Sequence, residues 1–362
     1  MKPPLRTPIL LAAAALTVTV LAVHGCNSGG SGASSTGSSP TPGGNVSLTG
    51  AGSSFVNPAM SKWTYTYHQA HADVTVNYQS VGSGAGIAQY QAGNVDFGAT
   101  DAPLTDKDLA GMPKPTTQFP VTAGCEVLVY NLPGIANGLK LSGDVVADIF
   151  LGVIKVWNDP RITAMNPDLK LPNTPIGVAH RSDGSGTTYI FTDYLSTVSP
   201  AWKSGPGQGK TVNWPAGVGG KGNEGVAGVV KATPGSIGYV ELAYAVQTKL
   251  TFGPLRNKDG NFVLPSVEST TAAVEAAAEA LKKDNRTSIV DQAGKDVYPI
   301  SGMTYVVLAT SPSDKAKAGA MIEFFKWVLA DGQTQAKDLQ YAPLPATIVA
   351  LNSTALATVQ TK

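Results

Sequence analysis

An α/β fold built on largely parallel sheets is what this 362-residue sequence predicts. Three observations lead there. Compact runs of β-branched and aromatic residues alternate with segments whose apolar side chains recur every three or four positions, the pattern of strands interleaved with helices. Forty glycines and 25 prolines are interspersed with those apolar runs, so they mark tight turns rather than disorder. At 43% hydrophobic and 14% charged residues, the chain can bury one large core or two.

Along the chain, "LTGAGSSF" (48–55) leads into a helix with Asn57 as candidate cap, Pro58 in the first turn and Met60, Trp63 and Tyr67 at helical spacing. "ADVTVNYQS" (72–80) alternates as a strand does. "QSVGSGAGIAQY" (79–90) passes from that strand into a helix, and "VDFGAT" (95–100) is a further short strand. "CEVLVYN", "TPIGVAH" and "MTYVVLA" read as strands. "SGDVVADIFLGVIKVW" (142–157) carries a buried helical face, and "SDKAKAGAMIEFFKWVLADG" (313–332) reads as one long amphipathic helix ending at its glycine.

The N-terminus reads as an export signal over residues 1–25. Lys2 and Arg6 precede the apolar run "ILLAAAALTVTVLAV" (9–23), which is short for a bilayer span. "VHGC" is similar to a bacterial lipobox, which makes Cys26 the expected lipidated first residue; simple cleavage near Gly25 is the alternative. Residues 26–45 then form a Gly/Ser/Thr/Pro linker with a reach of roughly 25 Å, the slack a membrane-tethered domain needs. Cys125 is the remaining cysteine. Its strand-like apolar setting predicts a buried core residue without a disulfide partner.

Twenty-six Lys+Arg stand against 25 Asp+Glu. That balance argues against electrostatic capture of nucleic acid or of an anionic membrane surface, so a small anion would have to be held locally. Three loops suit that task. Each runs from a strand to a helix start and is rich in glycine and hydroxyl residues: 48–55, 79–90 and "HRSDGSGTTYIF" (180–191). A helix N-terminus with free N–H groups and nearby hydroxyls attracts oxyanions. Three capped helices with glycine turns would explain any one loop equally well. The third adds Arg181, whose planar fork matches two oxygens of one anion. In α/β sheets ligands sit on such loops, at the carboxyl ends of strands.

The segments "LTGAGSSF", "VDFGATDAPL" (95–104), "IFLGVIKVWNDPRI" (149–162), "RSDGSGTTYIFTDYL" (181–195), "GVGGKGNEGVAGVV" (217–230) and "GSIGYVELAYA" (235–245) together resemble the phosphate-binding proteins that feed the bacterial high-affinity phosphate ABC transporter. The resemblance spans nearly the whole chain after the linker. It implies a two-lobed, hinged periplasmic-binding-protein fold of type II, with the ligand in the cleft between the lobes. Lobe I would be 46–124 plus 299–362, and lobe II 125–298. It further implies phosphate ligands at Ser54, Phe55 (through its N–H), Ser83, Asp101, Arg181, Ser185, Gly186 (through its N–H) and Thr187. Asp183 would hold the Arg181 fork; the alternative for Asp183 is a helix N-cap. The implied partners are inorganic phosphate and an ABC permease with its ATPase, and the expected state is a monomer anchored outside the cytoplasm through Cys26, without cofactor or metal.

Other readings weigh less. "GKGNEG" (220–225) fits G-x-G-x-x-G, but "VNWPAGVGG" ahead of it is no clean strand. "SGPGQGKT" has Ser204 where a P-loop needs its first glycine. His68 and His71 share a helix face with no acidic or cysteine partner evident nearby. Thr105 and Asp108 read as a capping box, which leaves "DKD" (106–108) without an aspartyl-phosphatase role. Rival functions are a receptor for sulfate or molybdate, a secreted phosphatase, or a surface adhesin.

Overall fold

The structure, a computed structural model, describes residues 45–361. The export signal, Cys26 and the linker through residue 44 lie outside the described residues. Nine strands form the main sheet among those described: β1 (Val46–Gly52), β2 (Val74–Ser80), β3 (Phe97–Thr100), β4 (Thr116–Asn131), β5 (Gly177–Arg181), β6 (Val218–Gly220), β7 (Ser236–Glu241), β8 (Thr251–Phe252) and β9 (Ser301–Ala309). Their order is β2-β1-β3-β9-β4-β7-β5-β6, with β8 beside β4.

The α/β class is as read from the sequence, but the sheet is mixed rather than largely parallel. β1 pairs parallel with β2 and β3, and β5 pairs parallel with β6 and β7. The central β9 and β4 run antiparallel to their neighbours. β4 makes the difference. Its first ten residues, Thr116–Cys125, pair with β9; from Glu126 to Asn131 it pairs with β7 instead. One strand thus belongs to two half-sheets, and each strand-to-helix loop of interest leaves the carboxyl end of a parallel strand in one of them.

Local chemistry explains the helices that border these loops. The helix Asn57–Ala70 places Pro58 in its first turn, where the missing N–H is harmless. It buries Ala59, Met60, Trp63 and Tyr67 on one face. Val56, not Asn57, occupies its N-cap, without a side-chain bond. Trp63 donates its Nε1–H to the Gly332 carbonyl at 2.7 Å. Emptying such a buried indole site would cost about 3–5 kcal/mol. That contact also corrects the C-terminal reading. The long helix ends at Val328, and a second, Asp331–Asp338, begins before Gly332. Gly332 is there for close approach: a Cβ on it would lie 3.1 Å from Trp63 Nε1. The helix expected over 142–157 likewise covers only Gly143–Phe150, because Gly152 turns the chain at φ 71°. Thr105 and Asp108 do form a capping box. Among the described residues no helix is long and apolar enough to cross a membrane.

Cys125 is fully buried at the point where β4 changes partner, and burial pushes its thiol pKa well up. His68 Nδ1 bonds the Val74 carbonyl at 2.8 Å, and His71 stacks on Tyr67.

Candidate anion site

The three loops converge where the half-sheets face each other. After β1, Ser53, Ser54 and Phe55 are all buried. Ser53 Oγ lies 2.6 Å from both Asp101 oxygens and shares its one proton between them, while accepting the Phe55 N–H at 3.0 Å. Ser54 Oγ accepts from Asn223 N at 3.2 Å and Asn223 Nδ2 at 3.0 Å. After β2, Ser83 Oγ accepts the Asp101 N–H at 3.3 Å and the Gly186 N–H at 3.1 Å. Two glycines permit the approach. Gly82 has φ +88°, and a Cβ there would sit 2.2 Å from Asp183 Oδ2; a Cβ on Gly186 would sit 2.3 Å from Asp101 Oδ2.

At the end of β5, Arg181 is 3% exposed, and three of its five N–H groups are bonded, which leaves one each on Nη1 and Nη2. Its Nε donates to Asp183 Oδ1 at 2.8 Å and its Nη2 to Asp183 Oδ2 at 2.6 Å, a two-pronged pair. Its Nη1 donates to Thr187 Oγ1 at 3.0 Å. Asp183 is therefore the arginine's partner in this structure, and it also accepts the Gly222 N–H at 3.1 Å. The N-cap of the helix Gly186–Val198 is Ser185, whose Oγ accepts the Thr188 N–H. Burial works against the Asp183 carboxylate, but the Arg181 bonds and charge outweigh it and hold its pKa below the ordinary value. Burial also pulls Arg181 down, and Asp183 more than reverses this.

Proton accounting shows what the cluster can do. Thr187 Oγ1 accepts from Arg181 Nη1 and from Asn223 Nδ2, 3.0 Å each. Ser54 Oγ accepts twice as well. A hydroxyl oxygen has two lone pairs and one proton. With the lone pairs of Ser54 and Thr187 filled by fixed N–H groups, their O–H bonds are left as donors. Ser185, accepting one cap N–H, is free to donate too. Ser83 accepts twice, and its nearest acceptor, Asp101 Oδ2, is a distant 3.4 Å. Three free hydroxyl donors, a fourth on Ser83 held only weakly by Asp101, and the unbonded N–H groups of one buried guanidinium suit an oxyanion.

The acceptor among them is Asp101, 2% exposed. Ser53 and Thr304 donate to it at 2.6 Å each, with Ser83 at 3.4 Å. Burial lifts its pKa from 3.8 to about 6, against the pull of those hydroxyls and of Arg181.

All eight expected ligands and Asp183 thus come together, though the Phe55 and Gly186 N–H groups are taken up by serine hydroxyls. Sequence reading missed Asn223, Ser53 and Thr304. Asn223 sits in "GKGNEG", weighed above only as a dinucleotide motif, at the start of the helix Gly222–Ala232 after β6. Ser53 adjoins Ser54 with the same chemistry and could have been named. Thr304 had no local signal: it lies at a register shift in the β9–β4 pairing, a bulge that turns its hydroxyl toward Asp101.

A model of the PBP superfamily domain matches residues 34–332. The phosphate-binding protein PstS of Xylella fastidiosa is 47% identical over 307 residues, covering 84% of this chain and 83% of that protein. The chain belongs to the phosphate-binding protein PstS family. PstS of Haemophilus influenzae is 46% identical over 304 residues, covering 84% and 90%. In fold, the chain is similar to PfluDING, a high-affinity periplasmic phosphate-binding protein solved with phosphate, at TM-score 0.69 and 19% identity, over 85% of this chain and 93% of that one. The family of binding proteins agrees with a site in which hydroxyls are positioned to donate to a ligand rather than to attack one.

Proposed function

We propose that this chain captures inorganic phosphate outside the cytoplasm and delivers it to an ABC permease, without chemistry on the ligand. The observation that carries this reading is the filled lone pairs of Ser54 and Thr187 beside Arg181. They leave O–H donors and a guanidinium facing one locus. Ser83, Ser185 and the N–H groups of Phe55 and Gly186 complete the ligand set. The two N–H groups turn from serine hydroxyls to the anion when it binds. The Xylella fastidiosa and Haemophilus influenzae relatives are phosphate-binding proteins, which supports the choice of anion.

Asp101 supports phosphate over sulfate. Near neutral pH phosphate keeps a proton that an ionised carboxylate accepts; sulfate offers only lone pairs to that carboxylate. Calorimetric titration with phosphate, sulfate, arsenate and molybdate tests the reading. Tight phosphate and arsenate binding with negligible sulfate and molybdate binding is expected; equal sulfate affinity would sink it.

The reading includes two lobes, 46–124 with 299–362 and 125–298, closing about the ligand. The partner exchange of β4 after Cys125 and the start of β9 at Ser301 favour those limits. Bonds between the half-sheets, from Asn223 to Ser54 and from Tyr244 Oη to the Ser54 carbonyl (2.7 Å), are what closure would make. A lipid on Cys26 would tether the monomer to the membrane through the linker.

A further inference from the structure

Behind the anion site, two glutamates are buried without the partners an ionised carboxylate needs. Glu126 on β4 and Glu241 at the end of β7 are directly opposite in the antiparallel register, and both are 0% exposed. Directly opposed residues of such a pair share a sheet face with Cβ atoms roughly 5 Å apart. Among the described residues, neither oxygen of Glu126 has a hydrogen-bond partner, nor has Glu241 Oε1. Glu241 Oε2 accepts the Ala243 N–H at 2.8 Å and lies 3.0 Å from Tyr341 Oη.

The Tyr341 contact fixes a proton. Tyr341 Oη is also 2.6 Å from the carbonyl of Phe55, in the first anion loop. A phenol has one proton, and a carbonyl has none to give. The shorter contact therefore takes the tyrosine's proton. The Glu241 contact is then a hydrogen bond only if Glu241 supplies its own. A neutral carboxyl at Glu241 completes an unbroken relay: Glu241 O–H to Tyr341 Oη, and Tyr341 O–H to the Phe55 carbonyl.

The surroundings favour neutral acids. The charged groups facing the pair are Asp101, after β3, and Arg181, whose guanidinium is already forked onto Asp183. The other ionisable neighbours are Cys125 on β4, Tyr239 on β7, Tyr244 after β7, Tyr298 ahead of β9 and Tyr341 itself. For Glu126, burial raises the pKa most, Asp101 and Glu241 add to it, and Arg181 opposes. Burial likewise raises Glu241.

We infer that Glu241 is a positioning residue that acts as a neutral acid, holding the Phe55 loop through Tyr341, so that closure takes up protons and phosphate capture weakens as pH rises. This rests on the phosphate-receptor reading. Tyr341 and Phe55 belong to the β1/β9 half and Glu241 to the β7 half. Opening parts the Tyr341–Glu241 bond and admits water, and a hydrated glutamate ionises at neutral pH. Reclosing must put the proton back.

Calorimetry of inorganic phosphate binding, at pH 6.5, 7.5 and 8.5 in two buffers of different ionisation enthalpy, reads both affinity and proton uptake. Glu241→Gln keeps a donor for Tyr341 but cannot titrate. It is expected to take up fewer protons than the native protein, by as much as one. The native protein's affinity should fall relative to this variant by up to about tenfold per pH unit. Both proteins see the same phosphate speciation and the same Asp101, so the difference isolates Glu241. Tyr341→Phe keeps the ring against Phe55 and removes the relay; it should weaken phosphate binding at pH 6.5 on the order of tenfold. Equal proton uptake by native protein and Glu241→Gln, or unchanged affinity in Tyr341→Phe, overturns the inference. A native protein that binds no phosphate would fail the receptor reading and this inference with it.

Discussion

Replacing Asp101 by asparagine should make the protein more stable and less selective at the same time. Asp101 is buried, and its pKa is lifted from 3.8 to about 6. That rise corresponds to about 3 kcal/mol of cost for the ionised form, at roughly 1.36 kcal/mol per pH unit. The sign follows from the direction. A group whose folded pKa is raised favours the fold fully below the unfolded value near 4, and loses that contribution as pH rises through about 6. Native protein and Asp101→Asn should therefore melt alike at pH 4. By pH 7.5 the variant should be the more stable, by up to about 3 kcal/mol less whatever the weaker bonds from Ser53 and Thr304 contribute. Binding moves the other way. The amide oxygen can keep Ser53 and Thr304 at the Oδ1 position, which puts the NH2 where Oδ2 faces Ser83 and the Gly186 helix start. A donor then stands where the P–OH acceptor stood. Phosphate should lose one charge-assisted bond, about 10- to 100-fold in affinity. Sulfate no longer meets a carboxylate, so a discrimination of roughly 10⁴ should shrink to about 10² or less. Thermal melts of the phosphate-free protein at pH 4 and 7.5, with phosphate and sulfate titrations, check both halves. A variant no more stable than the native protein at pH 7.5, or a gap that does not change with pH, would refute the buried-charge argument. Undiminished sulfate rejection would place selectivity elsewhere in the cleft.

Arg181→Lys keeps a charge but loses the fork on Asp183, so phosphate affinity in calorimetry should fall by at least tenfold with the circular dichroism spectrum unchanged. Gly186→Ala puts a methyl about 2.3 Å from Asp101 Oδ2; it should hold the half-sheets apart, and small-angle scattering with phosphate should show a less compact particle than the native one. Cys26→Ser should abolish incorporation of a palmitate analogue in growing cells, and labelling that persists would remove Cys26 as the anchor.

The legible part of this protein was chemical, and the illegible part was relational. Glycines and hydroxyls gathered ahead of helical periodicity marked all three loops, and Arg181 distinguished the third, because loop chemistry is written in adjacent residues. β4 shows the limit. Its sequence runs on through "CEVLVY" with no turn residue after Cys125, yet between Cys125 and Glu126 it leaves β9 for β7. Nothing in a strand's own residues states which neighbour it pairs with, and the largely parallel sheet expected from strand–helix alternation failed for that reason. Asn223 and Thr304 escaped on the same ground: each acts on residues more than a hundred positions away, Asn223 on Ser54 and Thr304 on Asp101. The broken C-terminal helix is similar, since Gly332 answers to Trp63 across the fold and not to its own helix.

Glu126 joins these observations into one argument. A charge-capable residue within an apolar strand run is a local inconsistency, and sequence reading passed over it as part of a core strand. In the fold it faces Glu241, two bonds from the anion loop through Tyr341. Asp101 and the glutamate pair are then three buried carboxyls around one arginine that is already neutralised by Asp183. If all three were ionised, an arriving phosphate would meet a net negative cleft. With the glutamates neutral, Asp101 is the one of these three carboxyls left ionised, and on the phosphate-receptor reading its charge has a use as the acceptor of a proton from phosphate. The same burial that raises all three pKa values therefore separates them by role. Short bonds from Ser53 and Thr304 oppose the rise at Asp101, whereas no group donates to Glu126 among the described residues and burial raises its pKa well above the ordinary value; on the inference above, Glu241 spends its proton on Tyr341.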